Sequence, residues 1–200
     1  MVVPSPPLFP QKDSLRRAAL AARKAFVEST GDAERTRLEQ KLAQHLTSLC
    51  AEARVVGGYA PMGSEISPLA AIEEARSVGA IVAFPAFDNP AELFRFLAGD
   101  PSATGPFGMS QPKASAPAVE PDLVLVPLVA IDGRGTRLGR GKGHYDRVLR
   151  PLRKSGARLI GIGWPLQRIA DRIPADDWDV PLDAFASPDG IEIFNPDFEG

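Results

Sequence analysis

The sequence LVLVPLVAI (123–131) is followed by DGRGTRLGRGKG (132–143), HYDRVLRPLRK (144–154) and RLIGIG (158–163), and these four segments decide the fold. The first and last are continuous apolar runs of the length of buried strands, and the third is a predicted helix ended by Gly156. Two buried strands joined through a helix predict a parallel pair with a right-handed crossover. Ligands of such sheets bind beyond the carboxyl ends of the strands, where the glycine-rich loop lies.

Two helices are predicted upstream of this unit. In the first, which starts at Asp13, apolar side chains recur at helical spacing, at Leu15, Ala18, Ala19, Ala22 and Phe26. Asp13 or Ser14 is the expected N-cap, and the remaining surface is expected to carry Arg16, Arg17, Arg23 and Lys24. The second helix is expected over about residues 32–51, where leucines repeat every three or four positions.

The segment between these helices and the central unit predicts further strands. Residues 54–60 and 80–86 are expected to be strands on either side of a helix, with Ser67 as N-cap and Pro68 at its first position. Residues 92–98 alternate as a strand does, and residues 99–121 are expected to be a surface loop. The chain is therefore predicted to be an α/β protein with a mostly parallel central sheet.

Composition narrows the class of protein. Of 200 residues, 44% are hydrophobic and 24% are charged, which predicts one folded domain over residues 11–200 after a short disordered arm at residues 1–10. The formal charge of −2 predicts no general affinity for nucleic acid or a membrane. One cysteine and two histidines exclude an intrachain disulfide and a Cys/His zinc site, which suits the cytoplasm.

The segment from Arg137 to Asp146, RLGRGKGHYD, has the chemistry of a phosphate cradle. Its three alternate glycines let backbone N–H groups approach an anion, and the following helix N-terminus and three basic side chains add positive charge. It is neither a Walker A loop nor a GxGxxG fingerprint. The alternative is a flexible loop whose charges are only solvated. Asp146 could hold Mg²⁺ at the phosphates or only complement the helix dipole.

The same residues resemble a known family. LVAID at 128–132, Gly135 and RLGRGKGHYDR at 137–147 resemble the signature of 5-formyltetrahydrofolate cyclo-ligases, also called 5,10-methenyltetrahydrofolate synthetases. The resemblance extends over nearly the whole chain, in the family's order, through Lys12, Leu15-Arg16, Tyr59, Glu65-Ile66, Phe107-Gly108-Met109, Gln111-Pro112, Gln167, Asp179 and Leu182-Asp183. His144 stands where an aromatic residue is expected most often.

The resemblance implies a three-layer α/β/α sandwich and an ATP- and Mg²⁺-dependent closure of 5-formyltetrahydrofolate, with or without a polyglutamate tail, to 5,10-methenyltetrahydrofolate. The implied nucleotide-binding residues are Lys12, Arg16, Arg137, Leu138, Gly139, Arg140, Gly141, Lys142, Gly143, His144 and Tyr145. Of these, a catalytic role is implied for Arg137, Arg140, Lys142 and Tyr145. The implied folate-binding residues are Tyr59, Glu65, Met109, Gly141 and Tyr145, and the implied metal ligands are Asp146 and Asp179. A monomer is expected.

Several of these residues have another reading. Lys12 and Arg16, one turn apart, could be solvated helix surface, and Glu65 could cap the helix near Ser67. Any carboxylate of the stretch 176–179 could be the metal ligand. Phe94, Phe96, Phe107 and Trp164 could line the folate pocket or belong to the core. At the level of function, the alternatives are a sugar-phosphate isomerase or acyl-CoA transferase, and a non-catalytic nucleotide- or RNA-binding regulator.

Overall fold

The computed structural model describes residues 8–89 and 91–199, and its helices and strands alternate along the chain. The helices are α1 (Leu8–Ser29), α2 (Asp32–Glu52), α3 (Leu69–Ser77) and α4 (His144–Lys154). The strands are β1 (Val55–Gly57), β2 (Ile81–Ala86), β3 (Arg95–Ala98), β4 (Ala103–Thr104), β5 (Ser110–Gln111), β6 (Leu123–Pro127), β7 (Ala130–Ile131), β8 (Arg137–Leu138), β9 (Arg158–Ile162), β10 (Ala184–Ser187) and β11 (Gly190–Ile193).

Seven strands form one sheet in the order β11-β10-β9-β6-β1-β2-β3. The five inner strands pair in parallel, and only the edge strands β3 and β11 are antiparallel to their neighbours. The predicted parallel pair is confirmed, because β6 and β9 run in register from Leu123 opposite Arg158 to Pro127 opposite Ile162. The C-terminal hairpin of β10 and β11 was not predicted.

Alternating side chains of the central strands divide the core into two layers. Leu123 and Leu125 of β6 face a cluster that contains the apolar sides of α2 and α3, whereas Val124 and Val126 face the cluster that contains Leu149 of α4. Helices thus cover both faces of the sheet, since strand side chains point alternately to opposite faces. The α/β/α sandwich is confirmed.

The apolar run 123–131 was expected to be one strand, but the structure divides it in two. The sheet strand ends at Pro127, and the chain turns away to form β7, which pairs antiparallel with β8. The Leu128 carbonyl accepts hydrogen bonds from Arg23 and Gln167 instead of from a neighbouring strand. Val129 and Ala130 pack in a separate cluster with Leu15, Ala19 and Leu20 of α1. Leu128 and Ile131 pack in the cluster that contains Leu149.

The N-terminal boundary also differs from the prediction. Helix α1 begins at Leu8 and not at an N-cap at Asp13 or Ser14, so the last three residues of the predicted arm are helical. Residues 1–7 of that arm lie outside the described residues. Proline at position 10 is compatible with this start, because the first turn of a helix needs no backbone donor there. Within the described residues, no helix is both long and apolar enough to cross a membrane.

Candidate active site

A cavity of about 540 Å³ opens where the chain leaves the carboxyl ends of β1, β2 and β6, as expected for this kind of sheet. Its volume is in the range of small-molecule sites. The residues that line it come from across the chain: Lys12, Asp13, Arg16, Tyr59, Ala60, Met62, Glu65, Pro85, Phe87, Phe94, Met109, Pro127, Leu128, Val129, Arg137, Leu138, Gly139, Arg140, Gly141, Lys142, Gly143, His144, Tyr145, Asp146, Asp176, Trp178 and Asp179. Every residue for which the resemblance implied a role is among them.

The glycine-rich loop forms one wall of the cavity, and neighbouring side chains leave little room for a Cβ at two of its glycines. A Cβ on Gly139 would lie 3.0 Å from an Arg137 guanidinium nitrogen, and one on Gly141 would lie 3.2 Å from the Arg16 guanidinium carbon. Gly141 and Gly143 also have positive φ angles of 92° and 65°. Larger residues would force the arginines away and strain the backbone, so the loop keeps guanidinium groups close to its main chain.

Lys12, on α1, bridges the two carboxylates of a turn near the C-terminus. Its ammonium nitrogen lies 2.6 Å from Asp176 Oδ2 and 2.7 Å from Asp179 Oδ2, and the residue is 9% exposed. Burial alone would lower the pKa of Lys12, but the hydrogen bonds and charges of the two aspartates outweigh it and raise the pKa above its usual value. Lys12 is therefore not solvated helix surface.

Asp179 and Asp176, rather than Asp177, face the cavity. Asp177 is exposed and does not line it. This placement narrows the carboxylates of the stretch 176–179 to two candidates for contact with a ligand.

Arg137 and Asp146 form a pair at the start of α4. An Arg137 terminal nitrogen lies 2.7 Å from Asp146 Oδ1, and the arginine side chain is only 5% exposed. The guanidinium carbon lies 5.6 Å from the centre of the Tyr145 ring. Arg137 Nε is buried without a hydrogen-bond partner among the described residues. A buried donor left in this state at a cavity wall indicates a place for an acceptor on a ligand.

Glu65 meets the glycine-rich loop from the opposite side. One carboxylate oxygen accepts hydrogen bonds from Arg140, at 2.9 and 3.3 Å, and the other accepts one from the Met62 N–H at 2.9 Å. The side chain therefore does not cap α3. At the start of that helix, the Leu69 N–H instead donates a hydrogen bond to the Ser67 hydroxyl. Glu65 is 8% exposed, so its charge acts in a partly desolvated site.

Arg16 reaches the same loop from α1, one turn beyond Lys12. Its Nε donates a 2.8 Å hydrogen bond to the Gly139 carbonyl, and its terminal nitrogen pairs with Asp13. Arg16 therefore ties the first helix to the loop, and it is not solvated helix surface.

Arg23 was expected on the surface of α1, and this prediction was wrong. The residue is 2% exposed and donates hydrogen bonds to Ser64 Oγ at 3.0 Å and to the Leu128 carbonyl at 3.2 Å. Burial lowers its pKa, an effect that the nearby Glu65 charge opposes. Helical spacing gave no signal for this burial, because Arg23 is matched by groups from two distant loops.

A second wall of the cavity, which adjoins the loop at Tyr145, is aromatic. Phe94 packs against Tyr145 with ring centres 4.9 Å apart and against Phe87 at 5.7 Å. Met109 lies against this group. Burial raises the pKa of Tyr145 far above its ordinary value, so its phenol remains a neutral hydrogen-bonding group. Such a wall suits a planar, largely apolar ligand group.

Tyr59 also lines the cavity, and it packs in the cluster that contains the apolar sides of α2 and α3. Its hydroxyl donates a 2.7 Å hydrogen bond to the Ile66 carbonyl. Burial raises the pKa of this phenol as well. The bond fixes the loop that carries Glu65 relative to the ring.

Gln111 holds the aromatic wall in position. Its side-chain amide accepts a 3.1 Å hydrogen bond from the Phe87 N–H and donates a 3.2 Å bond to the Phe87 carbonyl. A Cβ at Gly105 would lie 2.0 Å from the Gln111 amide oxygen. The 99–121 segment, expected to be only a surface loop, therefore supports the cavity through this amide and contributes Met109.

His144 begins α4 and packs edge-on against Phe87, with ring centres 5.3 Å apart. Its Nδ1 is buried without a hydrogen-bond partner among the described residues. Burial lowers the pKa of His144, and the positive charges of Arg147 and Lys142 act in the same direction. The imidazole thus keeps the ring contact of an aromatic residue while adding a polar atom.

The other aromatic residues considered for the folate pocket fall into two groups. Phe94 lines the cavity, whereas Phe96 and Trp164 are core residues outside it. The Trp164 indole N–H donates a 3.0 Å hydrogen bond to the Ser64 carbonyl and so supports the Glu65 loop from behind. The side chain of Phe107 lies outside the described residues. Trp178 lines the cavity, although the sequence had given no reason to select it.

The donor set at the charged wall suits Mg²⁺ bound together with a phosphate. Asp146, Asp176 and Asp179 present carboxylate oxygens, which are hard ligands. Within residues 8–89 and 91–199, no group of three or more histidine, cysteine, aspartate or glutamate side chains is arranged to hold a metal alone. Mg²⁺ commonly takes one or two carboxylates and completes its shell with water and substrate phosphates, so the residues fit that mode of binding.

Comparisons with known proteins point to one enzyme family. The chain is 31% identical over 188 residues to a 5-formyltetrahydrofolate cyclo-ligase of Mycolicibacterium smegmatis, covering 88% of this chain and 93% of that protein. It is also 31% identical over 154 residues to the enzyme of that name from Haemophilus influenzae, covering 72% and 82%. The structure resembles the NMR structure of Aquifex aeolicus 5,10-methenyltetrahydrofolate synthetase, with 27% identity, a TM-score of 0.76 and 92% of each chain covered.

The family model described as the 5-formyltetrahydrofolate cyclo-ligase family matches residues 9–188 of this chain. These residues include all of the sheet strands except the last one, β11, and all of the cavity residues. The resemblance inferred from the glycine-rich loop is confirmed, and the isomerase, transferase and regulator alternatives find no support. The chain is an enzyme that belongs to the 5-formyltetrahydrofolate cyclo-ligase family.

Proposed function

We propose that this enzyme uses ATP and Mg²⁺ to convert 5-formyltetrahydrofolate to 5,10-methenyltetrahydrofolate, with release of ADP and phosphate. The observation that carries the proposal is the contact between the two walls of the cavity. Arg137 of the cationic loop lies over Tyr145, and Tyr145 packs against Phe94 of the aromatic wall. A phosphate on one wall and a planar folate on the other would therefore meet at these residues.

The reaction needs activation of an amide. The formyl oxygen attacks the γ-phosphorus and displaces ADP, which gives an imino phosphate on the folate. The folate N10 then attacks the formyl carbon and loses its proton, and the carbon–oxygen bond breaks as phosphate leaves. An unactivated amide oxygen is a poor leaving group, and phosphorylation makes its departure possible. Catalysis of this type depends mainly on positioning and on neutralising phosphate charge.

The charged wall is proposed to position the nucleotide and to neutralise the charge of its phosphates. Lys12 and Arg16 bind the nucleotide phosphates, and backbone and side-chain groups of residues 137–145 surround the γ-phosphate. Arg137, Arg140, Lys142 and Tyr145 are the groups assigned to the transferring phosphate and the formyl oxygen. The orphaned Nε of Arg137 supports this assignment, because a phosphate oxygen would supply its missing acceptor.

Asp146 and Asp179 are proposed to hold Mg²⁺, with Asp176 as their neighbour. The bound ion would supply positive charge at the phosphate oxygens. In the structure the same carboxylates pair with Arg137 and Lys12. Binding of the metal nucleotide would exchange these pairs, so that phosphate takes the cations and the metal takes the carboxylates.

The aromatic wall is proposed to hold the folate. Tyr59 and Met109 contact its rings, and Glu65 accepts hydrogen bonds from the pterin N–H groups. Gly141 and Tyr145 face its formyl end. The residues assigned to both substrates lie between Lys12 and Asp179. We further propose that residues 11–200 act as one catalytic domain in a cytoplasmic monomer.

The test is the near-ultraviolet absorbance of the purified enzyme with 5-formyltetrahydrofolate, Mg²⁺ and ATP. We expect a rise from the methenyl chromophore that requires both ATP and Mg²⁺, with ADP formed in equal amount. A rise without ATP would refute the phosphorylation step. No rise from folded protein that binds ATP would favour a non-catalytic nucleotide-binding protein.

A further inference from the structure

Trp178 is a residue of the cavity to which the proposed reaction gives no role. Its side chain lines the cavity, yet the residue is 58% exposed. Among the exposed large hydrophobic residues whose side chains the structure describes, it is the only aromatic one. Exposing an indole ring to water leaves a large apolar area unburied, so the position invites a ligand that covers the ring.

The backbone beneath Trp178 is fixed although its ring is not packed. The Asp179 N–H donates a 3.0 Å hydrogen bond to the Asp176 carbonyl, and the Asp176 N–H donates a 2.9 Å bond to the Asp179 carboxylate. Lys12 bridges both carboxylates, and Arg150 donates a 3.0 Å bond to the Asp177 carbonyl. The exposed ring is thus presented from a tight, well-bonded turn, which lowers the entropy cost of contact with a ligand.

The position of the turn indicates which ligand this is. Its carboxylates and Lys12 belong to the charged wall, whereas the other aromatic rings lining the cavity, Tyr59, Phe87, Phe94 and Tyr145, are buried or half-buried. Three of those four rings form the aromatic wall through mutual contacts. Trp178 is therefore the exposed π-face next to the groups assigned to phosphate and metal.

We infer that Trp178 stacks on the adenine base of ATP and supplies the base-binding part of the nucleotide site. The inference rests on the proposed use of ATP. Stacking acts through the π-face of a base and tolerates changes in its hydrogen-bonding edge. The enzyme should accordingly use GTP with a KM close to that for ATP.

Two variants test the stacking by steady-state kinetics. Trp178→Ala should raise the KM for ATP about tenfold and Trp178→Phe about threefold, because a smaller ring keeps part of the contact. The kcat and the KM for 5-formyltetrahydrofolate should stay within twofold. Inhibition by tripolyphosphate, which has no base, should be unchanged. If a variant bound tripolyphosphate and ATP more weakly by the same factor, the substitution would have disturbed the turn held by Lys12. This outcome would overturn the inference.

Tryptophan fluorescence gives an independent readout. The protein has only one other tryptophan, Trp164, which is 0% exposed in the core. ATP should quench the emission of the wild type, tripolyphosphate should not, and Trp178→Phe should abolish the ATP effect. Quenching that persists in Trp178→Phe would overturn the inference.

Thermal unfolding of the Trp178 variants shows whether they remain folded. Val78→Ala, at another exposed apolar position that does not line the cavity, is the control for the loss of an exposed apolar side chain. If the wild type forms product with ATP but the Trp178 variants match it in KM for ATP, only the stacking is wrong. If the wild type neither binds ATP nor forms product, the proposed function fails, and the inference fails with it.

Discussion

The two walls of the cavity are built on opposite principles. The aromatic wall continues the core, and its rings are held by packing and by the Gln111 amide on Phe87. On the charged wall, Lys12, Arg137 and Arg140 each pair with a carboxylate of the same cavity. Packing supplies shape that exists before the ligand arrives, whereas ion pairs supply charges that a ligand can exchange. The comparison predicts that changes in each wall affect different substrates.

The largest effect is expected from Lys142→Ala on the charged wall. Removing a cation at the transferring phosphate should lower kcat about 10²- to 10³-fold, as for other transition-state charge stabilisers, with a small change in the KM for folate. Lys142→Arg should recover part of the activity. Lys113→Ala, an exposed lysine outside the cavity, is the control for the loss of a positive charge. Full activity of Lys142→Ala would mean that the loop does not bind the phosphate as proposed.

The second effect concerns the metal. Asp146→Ala should raise the Mg²⁺ concentration needed for half-maximal rate by about tenfold or more, because one of two proposed oxygen ligands is lost. It also leaves Arg137 buried without its partner, so thermal stability should fall. Asp177→Ala removes an exposed carboxylate outside the cavity and is the control. An unchanged Mg²⁺ dependence would remove Asp146 from the metal site.

A smaller effect, on folate and not on ATP, is expected from the aromatic wall. Met109→Ala removes apolar area from a half-buried side chain and should weaken folate binding by about 1 kcal/mol, or about fivefold in KM. The KM for ATP should not change. Leu93→Ala, exposed and outside the cavity, is the control. A matching rise in the KM for ATP would break the division of the cavity into two walls.

The smallest effect on catalysis is expected from Asp132, whose carboxylate holds the turn between β7 and β8. Burial alone would raise its pKa, but hydrogen bonds from Arg134, Ile173 and Thr136 outweigh burial and lower the pKa below the ordinary 3.8. A carboxylate with a lowered pKa contributes stability that is present above pH 3.8 and is lost as the pH falls through its folded value.

Acid unfolding of wild type and Asp132→Asn measures this contribution. The free energy of unfolding of the wild type should decline more steeply below about pH 3.8 than that of the variant. If the free energy of unfolding declined equally in both proteins, Asp132 would not contribute the expected pH-dependent stability. Activity of folded Asp132→Asn near neutral pH should stay close to that of the wild type, because Asp132 does not line the cavity.

The sequence predicted some parts of the fold well and others poorly. The central β6-α4-β9 unit was predicted because its signals are local: apolar runs, a glycine-rich loop and a helix closed by Gly156. The end of β6 at Pro127 was missed, because an apolar run reads the same whether it lies in a sheet or beneath a helix. The burial of Arg23 was missed for a related reason, since its partners are distant in sequence.

By itself, the sequence determined the α/β class, the charge and glycine pattern of residues 137–143 and, through that pattern, the family. Only the tertiary structure decided which charges pair and which rings meet. Lys12 joins Asp176 across 164 residues, and Arg140 joins Glu65 across 75. Local propensity and residue spacing carry no information on such partners, because chain topology and burial set them. The exposure of Trp178 at the cavity was decided in the same way.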